Sequence, residues 1–251
     1  MSCASAGNCS AGGFYTSANG GQKAFVVSET NGTWGAAEEV PGTGAVNQGN
    51  GQTTSVSCAS AGNCSAGGFY PTPKRQAAFA VGETNGVWGT AVQVPGTDRG
   101  GFAEITSVSC TTAGNCSAGG LYENRLQFQQ AFVVSERTGT WGTAIEVPGT
   151  ARLNGGDEAE INSVSCASAG NCSAVGQYLD SNDFFHAFVV SEVNGTWGKA
   201  IEAPGTASLN QGGRLGAFAG ITSVSCASAG HCGAGGFYTC LLYTSPSPRD
   251  S

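Results

Sequence analysis

Residues Ser55-Val-Ser-Cys-Ala-Ser-Ala-Gly-Asn-Cys-Ser-Ala-Gly-Gly-Phe-Tyr70 decide how the rest of the chain is read. Near copies stand at the start of the sequence and around Cys110, Cys166 and Cys226. Each copy holds two cysteines with five residues between them, and the first four are followed by a block like Asn-Gly-Thr-Trp-Gly. First cysteines fall at 3, 58, 110, 166 and 226 and tryptophans at 34, 88, 141 and 197, a period of 52 to 60 residues. From second cysteine to tryptophan the distance is 24 or 25 residues, whereas from tryptophan to the next cysteine it varies from 22 to 29. The rigid unit therefore runs from cysteine to tryptophan, and length variation collects in the connection after it.

Each repeat reads as four short strands, and the third is the clearest. Ile105 to Cys110 is strand one, with Thr106, Val108 and Cys110 on one face and Ala-Gly-Asn as the turn that follows. Cys116 to Tyr122 is strand two, whose glycines let another backbone come close. Ala131 to Glu136 is strand three: Phe132 and Val134 alternate with Ala131 and Val133, so both faces are apolar and both should be buried. Trp141 to Val147 is strand four, with Trp141, Thr143, Ile145 and Val147 inward and Glu146 outward. Between strands three and four, Asn31-Gly32, Asn85-Gly86 and Asn194-Gly195 predict two-residue type I′ loops, and Thr138-Gly139 is a weaker version. Pro41, Pro95, Pro148 and Pro204 end strand four.

A four-stranded antiparallel unit of about 50 residues in tandem has the size and strand count of a β-propeller blade. One such unit cannot cover both faces of its third strand, but neighbours stacked on either side can. The expectation is an all-β fold: an incomplete β-propeller of four four-stranded antiparallel blades plus one extra hairpin, over residues 1–239. No window keeps a 3.6-residue period, which excludes helical repeats.

The pattern from Val164 to Gly176 resembles the first hairpin of photosystem-assembly-factor-type propeller repeats. Ser28-Glu-Thr-Asn-Gly-Thr-Trp34 resembles the Asp-box of sialidase-type propellers, Ser-x-Asp-x-Gly-x-Thr-Trp, which in that family lies at the turn between strands three and four. Here the box is one residue shorter, and Thr30, Thr84 and Val193 stand at the Asp position. The resemblance implies a fold and says little about activity.

Forty-one glycines and 11% charged residues suit short strands and tight turns better than an ordinary helical protein. A net charge of -7, with ten basic residues spread along the chain, argues against a nucleic-acid partner, and no apolar run is long enough to span a membrane. Of 11 cysteines, ten form five pairs: Cys3 with Cys9, Cys58 with Cys64, Cys110 with Cys116, Cys166 with Cys172 and Cys226 with Cys232. Zinc would need more ligands than His186 and His231 can add, whereas cysteines facing each other across a hairpin suit disulfides, which imply an oxidising, extracellular or cell-surface location. The remaining cysteine opens Cys240-Leu-Leu-Tyr-Thr-Ser-Pro-Ser-Pro-Arg-Asp-Ser251, which resembles a translated transposase-type sequencing adapter, so residues 240–251 are set outside the fold. Met1 stands where other copies carry the Val of Ser-Val-Ser-Cys, as in a fragment open at both ends.

No catalytic constellation, metal site or cofactor site is expected. Gly-Asn-Cys-Ser-Ala-Gly lacks nucleophile-turn spacing and recurs without a base. His231 replaces the turn residue Asn8, Asn63, Asn115 or Asn171, and His tolerates left-handed geometry as Asn does. His186 replaces a polar residue before Ala-Phe. Asp157, Glu158 and Glu160 form an acidic cluster better read as a solvated loop than as a calcium site. Arg99, Arg152 and Arg214 lie one per successive variable connection, so a propeller would set them on one rim, where guanidinium groups bind carboxylate or sulfate. The candidate ligand-binding residues are therefore Arg99, Arg152, Arg214 and Asp157, and the expected partner is a glycan or a protein. A sialidase-like hydrolase, with arginines on the substrate carboxylate but no acid-plus-Tyr pair found to accompany them, is the enzyme alternative; a purely structural surface module is the third.

Overall fold

A computed structural model of the chain describes residues 1–44, 49–210 and 217–239. The first antiparallel sheet comprises β1 (Ser2–Ser5), β2 (Asn8–Thr16), β3 (Gln22–Thr30), β4 (Thr33–Trp34) and β5 (Glu38–Glu39). The second comprises β6 (Gln52–Ser60), β7 (Asn63–Pro71), β8 (Gln76–Thr84), β9 (Val87–Trp88) and β10 (Val92–Gln93). The third comprises β11 (Ala103–Thr112), β12 (Asn115–Glu123), β13 (Gln129–Arg137), β14 (Thr140–Trp141) and β15 (Ile145–Glu146). After the helical turn α1 (Thr150–Leu153), the fourth comprises β16 (Ala159–Ser168), β17 (Asn171–Leu179), β18 (Phe185–Val193), β19 (Thr196–Trp197) and β20 (Ile201–Glu202). A second helical turn, α2 (Thr206–Leu209), precedes the hairpin of β21 (Ala219–Ser228) and β22 (His231–Tyr238). The protein is all-β, built from repeated four-stranded antiparallel sheets in which strand four is broken into two short pieces, both paired with strand three.

Each sheet packs its faces on its neighbours. Ala131 and Val133 join Ile161, Val164, Phe188 and Trp197 of the fourth sheet in one core, while Phe132 and Val134 join Ala78, Ala80 and Val94 of the second in another. All four consecutive side chains of strand three are buried, as its double-sided apolar pattern predicts. Trp88 and Trp197 are buried, each in a core shared with the preceding sheet, whereas Trp34, which has no preceding sheet in this chain, is 45% exposed. Asn31, Asn85, Thr138 and Asn194 and the glycines after them all have positive φ, the geometry of type I′ loops.

The five expected cysteine pairs are all disulfides. Cys3 is bonded to Cys9, Cys58 to Cys64, Cys110 to Cys116, Cys166 to Cys172 and Cys226 to Cys232, with Cα atoms 3.9 to 4.0 Å apart. In each pair the two residues stand directly opposite across the hairpin. The second cysteine points into the joint with the preceding sheet at Cys64, Cys116 and Cys172, all buried, and Cys232 likewise lies 3.3 Å from Ser173 Oγ of the fourth sheet, although it is exposed. The serines beside the cysteines link repeats. Ser107 Oγ accepts from Val164 N–H (2.9 Å) and Ser109 Oγ from Cys166 N–H (2.9 Å) of the next sheet. Ser55 and Ser57 do the same for Val108 and Cys110, and Ser163 and Ser165 for Val224 and Cys226. Ser-Val-Ser-Cys thus alternates a rung to the next repeat with a side chain for the core or the disulfide.

Two expectations fail for identifiable reasons. Strand one carries a bulge at Thr106, because Ile105 opposes Gly120 while Ser107 opposes the adjacent Gly119. Ile105, not Thr106, therefore shares the buried face with Val108, and the Thr106 hydroxyl sits between the carbonyls of Gly119 and of Ile161 in the next repeat. Strand four is not continuous: Gly142 N–H still donates to Ser135 O (3.0 Å), but Thr143 and Ala144 leave the ladder and Ala144 N–H donates instead to Pro95 O of the preceding repeat (2.7 Å). The break shifts the alternation, so Ala144 and Val147 are buried and Ile145 is exposed. The following Pro-Gly-Thr is a turn in which the buried Thr150 hydroxyl donates back to Val147 O (2.7 Å), and Thr43, Thr97 and Thr206 repeat the bond.

Candidate functional site

The two ends of each sheet differ. At one, the cysteine hairpin and the type I′ loop are bonded together: Gly139 N–H donates to Gly114 O (2.9 Å), and Asn115 Oδ1 accepts from Thr138 N–H (3.5 Å). Asn8, Asn63 and Asn171 make the same bridge. Positive φ falls on the glycine before each of these asparagines, so Asn is there for its side chain and not for left-handed geometry. His231 therefore follows Gly230 in an ordinary strand conformation, contrary to the reading that it replaces a left-handed Asn.

At the opposite end, the variable connections meet the loops between strands two and three. Gln76 N–H donates to Gly101 O (3.1 Å) and Gln129 N–H to Asp157 O (2.9 Å), tying each connection to the start of strand three in the sheet before it. The lengths and charges that vary between repeats are thereby gathered on one edge.

On that edge Arg99 lies with its guanidinium carbon 6.0 Å from the centre of the Tyr122 ring, at the outer reach of a cation–π contact. Arg99, Tyr122, Asn124, Arg125, Leu126 and Glu146 line an open groove of about 550 Å³. Asn124 shapes its loop by accepting from Leu126 N–H (2.8 Å) and Phe128 N–H (3.2 Å), which is the turn chemistry that presents Arg125. Tyr122 Oη donates to Glu146 Oε2 (3.3 Å). Burial, with the Glu146 charge and hydrogen bond, pushes the Tyr122 hydroxyl above its ordinary pKa, against the pull of Arg99.

Arg152 stands in the last turn of α1 and Asp157 is exposed at φ 67°; neither lines the groove. Arg214 lies outside the described residues. The acidic cluster is not simply a solvated loop. Glu160 is half-buried, accepts from Gln177 Nε2 (3.0 Å), and is held above the usual carboxylate range by burial and by Glu158 and Glu104.

Acid-plus-Tyr pairs are also present, contrary to expectation. Tyr15 donates to Glu39 (3.0 Å) and Tyr122 to Glu146, and Tyr178 pairs with Glu202. In the fourth repeat His186 joins the set, its Nδ1 3.2 Å from Glu202 Oε1 and its Nε2 3.3 Å from Asp180 Oδ2, with the ring stacked on Tyr178. Burial works to raise the Asp180 pKa, but hydrogen bonds from Phe184, Asn182 and His186 leave it lowered. Arg125 and the Tyr–Glu pairs escape a reading that looks for loop charges only after strand four. The signal available was that loops two–three and four–one leave an antiparallel sheet on the same side. No family model and no curated protein matches the sequence.

Proposed function

We propose that the chain is part of a secreted or cell-surface β-propeller that binds an anionic group, carboxylate or sulfate, carried by a glycan or protein on its variable-loop edge. The observation that carries this is the groove lined by Arg99, Arg125 and Tyr122, with the Arg99 guanidinium 6.0 Å from the Tyr122 ring centre. Two arginines lining one groove with an aromatic residue suit bidentate recognition of a planar or tetrahedral oxyanion. Faces of strand three covered by neighbouring sheets on both sides support the propeller, and five disulfides support an oxidising compartment. Among the described residues no helix is long and apolar enough to cross a membrane. The test is binding to sialylated and sulfated glycans, and to acidic peptides, against neutral counterparts. Arg99→Ala with Arg125→Ala should abolish binding to the acidic members. Unchanged binding, or equal binding to neutral ligands, refutes the reading.

A sialidase-like or other glycoside hydrolase is the second reading, favoured by Tyr122–Glu146 standing beside Arg99. Against it, among the described residues the pairs Tyr15–Glu39 and Tyr178–Glu202 recur with no arginine acting on the phenol, and the raised Tyr122 pKa opposes nucleophilic use of the phenol. Release of fluorophore from an aryl sialoside would decide for the enzyme. Failure to bind any ligand in the panel would leave the purely structural module.

A further inference from the structure

One polar unit recurs at the joints between sheets, built from a buried glutamate of strand three and the serines of the preceding repeat. At the first joint, Ser28 Oγ donates to Glu83 Oε1 (2.6 Å) and accepts from Trp88 Nε1–H (3.1 Å), while Ser10 Oγ donates to Glu83 Oε2 (3.1 Å). At the third joint, Ser135 and Ser117 donate to Glu192 (3.1 and 3.3 Å), and Arg137 adds a bond of 2.9 Å. At the second joint the position of Ser28 and Ser135 is Gly82. Glu136, 4% exposed, keeps only the hydrogen bond from Ser65 (3.4 Å), and Trp141 Nε1–H is buried without an acceptor. Trp197 Nε1–H is likewise unpartnered, there with Ser135 at the corresponding position and its hydroxyl engaged by Glu192 and Ser117. Around Gly82 the space is empty: a Cβ built on it meets no heavy atom within 4 Å. Gly82, Glu136 and Trp141 border a cleft of about 220 Å³ that also reaches Thr84, Thr90 and Thr112. One water needs only about 10–15 Å³ on such a measure.

We infer that this cleft binds the hydroxymethyl group of a small polyol, such as a hexose. The ligand oxygen takes the place that Ser28 Oγ holds at the first joint, donating to Glu136 and accepting from Trp141 Nε1–H. A hydroxyl oxygen can donate to one partner and accept from the other at once, and Ser28 at the first joint shows the arrangement within this protein. Burial holds the Glu136 carboxyl above its usual range, with Ser65 working against the shift, as suits a group short of donors. The cleft lies at the cysteine-hairpin end of the sheets, away from Arg99 and Arg125, so the two sites are separable by mutation.

The experiment is a titration of the full 251-residue chain with methyl glucoside, galactoside and mannoside, each against its 6-deoxy analogue, following the Trp141 indole ¹H–¹⁵N resonance. At least one hexoside should shift that resonance saturably, and its 6-deoxy analogue should bind about tenfold more weakly or worse. Gly82→Ser, which supplies the missing hydroxyl from within, should fold, melt at a higher temperature and lose the response, while Arg99→Ala retains it. Absence of any saturable shift, equal binding of the 6-deoxy sugars, or undiminished binding by Gly82→Ser would each overturn the inference and leave the cleft to water.

Discussion

Replacing Ser107 and Ser109 together by alanine isolates the rungs between the third and fourth repeats. Neither hydroxyl contributes to the apolar core; each accepts one backbone N–H, from Val164 and Cys166 respectively, at 2.9 Å. Truncation leaves both amides facing a methyl group between packed strands. An unsatisfied buried donor costs about 1–3 kcal/mol. Because both serines are only part-buried and water can reach one side, about 1–2 kcal/mol each is the better figure, or about 2–4 kcal/mol for the pair. For a chain of this size that lowers the melting temperature by roughly 4–16 °C. Circular dichroism gives the melting point, and amide exchange gives the location: Val164 and Cys166 should exchange faster, while Val108 and Cys110, held by Ser55 and Ser57, should not change. A double variant that melts within a degree of the parent, with both amides still protected, would refute the assignment of these serines as inter-repeat rungs.

Cys110→Ala with Cys116→Ala opens one small covalent loop and should cost about 2–2.5 kcal/mol, read as a lower urea midpoint. Alkylation should label none of the ten paired cysteines before reduction and all ten after it, as mass spectrometry would show. Burial first, and for Glu160 also the neighbouring carboxylates, raises the folded-state pKa of Glu104 and Glu160 above the ordinary carboxylate value. The stability their neutral forms carry is therefore full below that ordinary value and is lost as pH rises through the raised ones. Glu104→Gln with Glu160→Gln should accordingly melt higher at pH 7 and show a shallower fall between pH 4.5 and pH 7; an unchanged slope would contradict it. Asn115→Ala removes the bridge to Thr138 N–H and to Thr112 Oγ1 and should cost about 1 kcal/mol, with faster exchange at the type I′ loop.

Features whose cause lies within one repeat were legible in the sequence. The alternation of Ala131 to Val134, the positive φ at Asn-Gly and the opposed cysteines follow from local sterics and the two-residue period of a strand. What the period could not supply were the places where a residue serves the repeat next door. Thr106 bulges between its own sheet and Ile161 O, and Ala144 leaves strand four for Pro95 O; both partners lie roughly one repeat away in sequence. The groove shows the same limit. Arg99 could be singled out as a loop charge, but Tyr122, Arg125 and Glu146 join it only once the strand-two end, the following loop and the outer strand are brought together. The buried glutamates were hidden for another reason. Gly-Glu or Ser-Glu at the end of strand three reads as a polar strand end until Glu83, Glu136 and Glu192 are seen reaching back to hydroxyls of the preceding repeat.

The joints also carry an implication for how such a gene can change length. The serines before and at the Val-Ser-Cys strand and the carbonyls of Pro41, Pro95 and Pro148 point forward to amides of the following repeat, and Glu83, Glu136 and Glu192 point back, so these junctions are head-to-tail and share most of one donor–acceptor scheme. Unequal crossing-over that inserts or deletes one whole unit, cut at any equivalent position, recreates the same bonds at the new junction. A cut out of phase strands several N–H groups at once. Selection for these few oxygens would then enforce the reading of the gene in whole repeats, while leaving the connecting loops free to diverge.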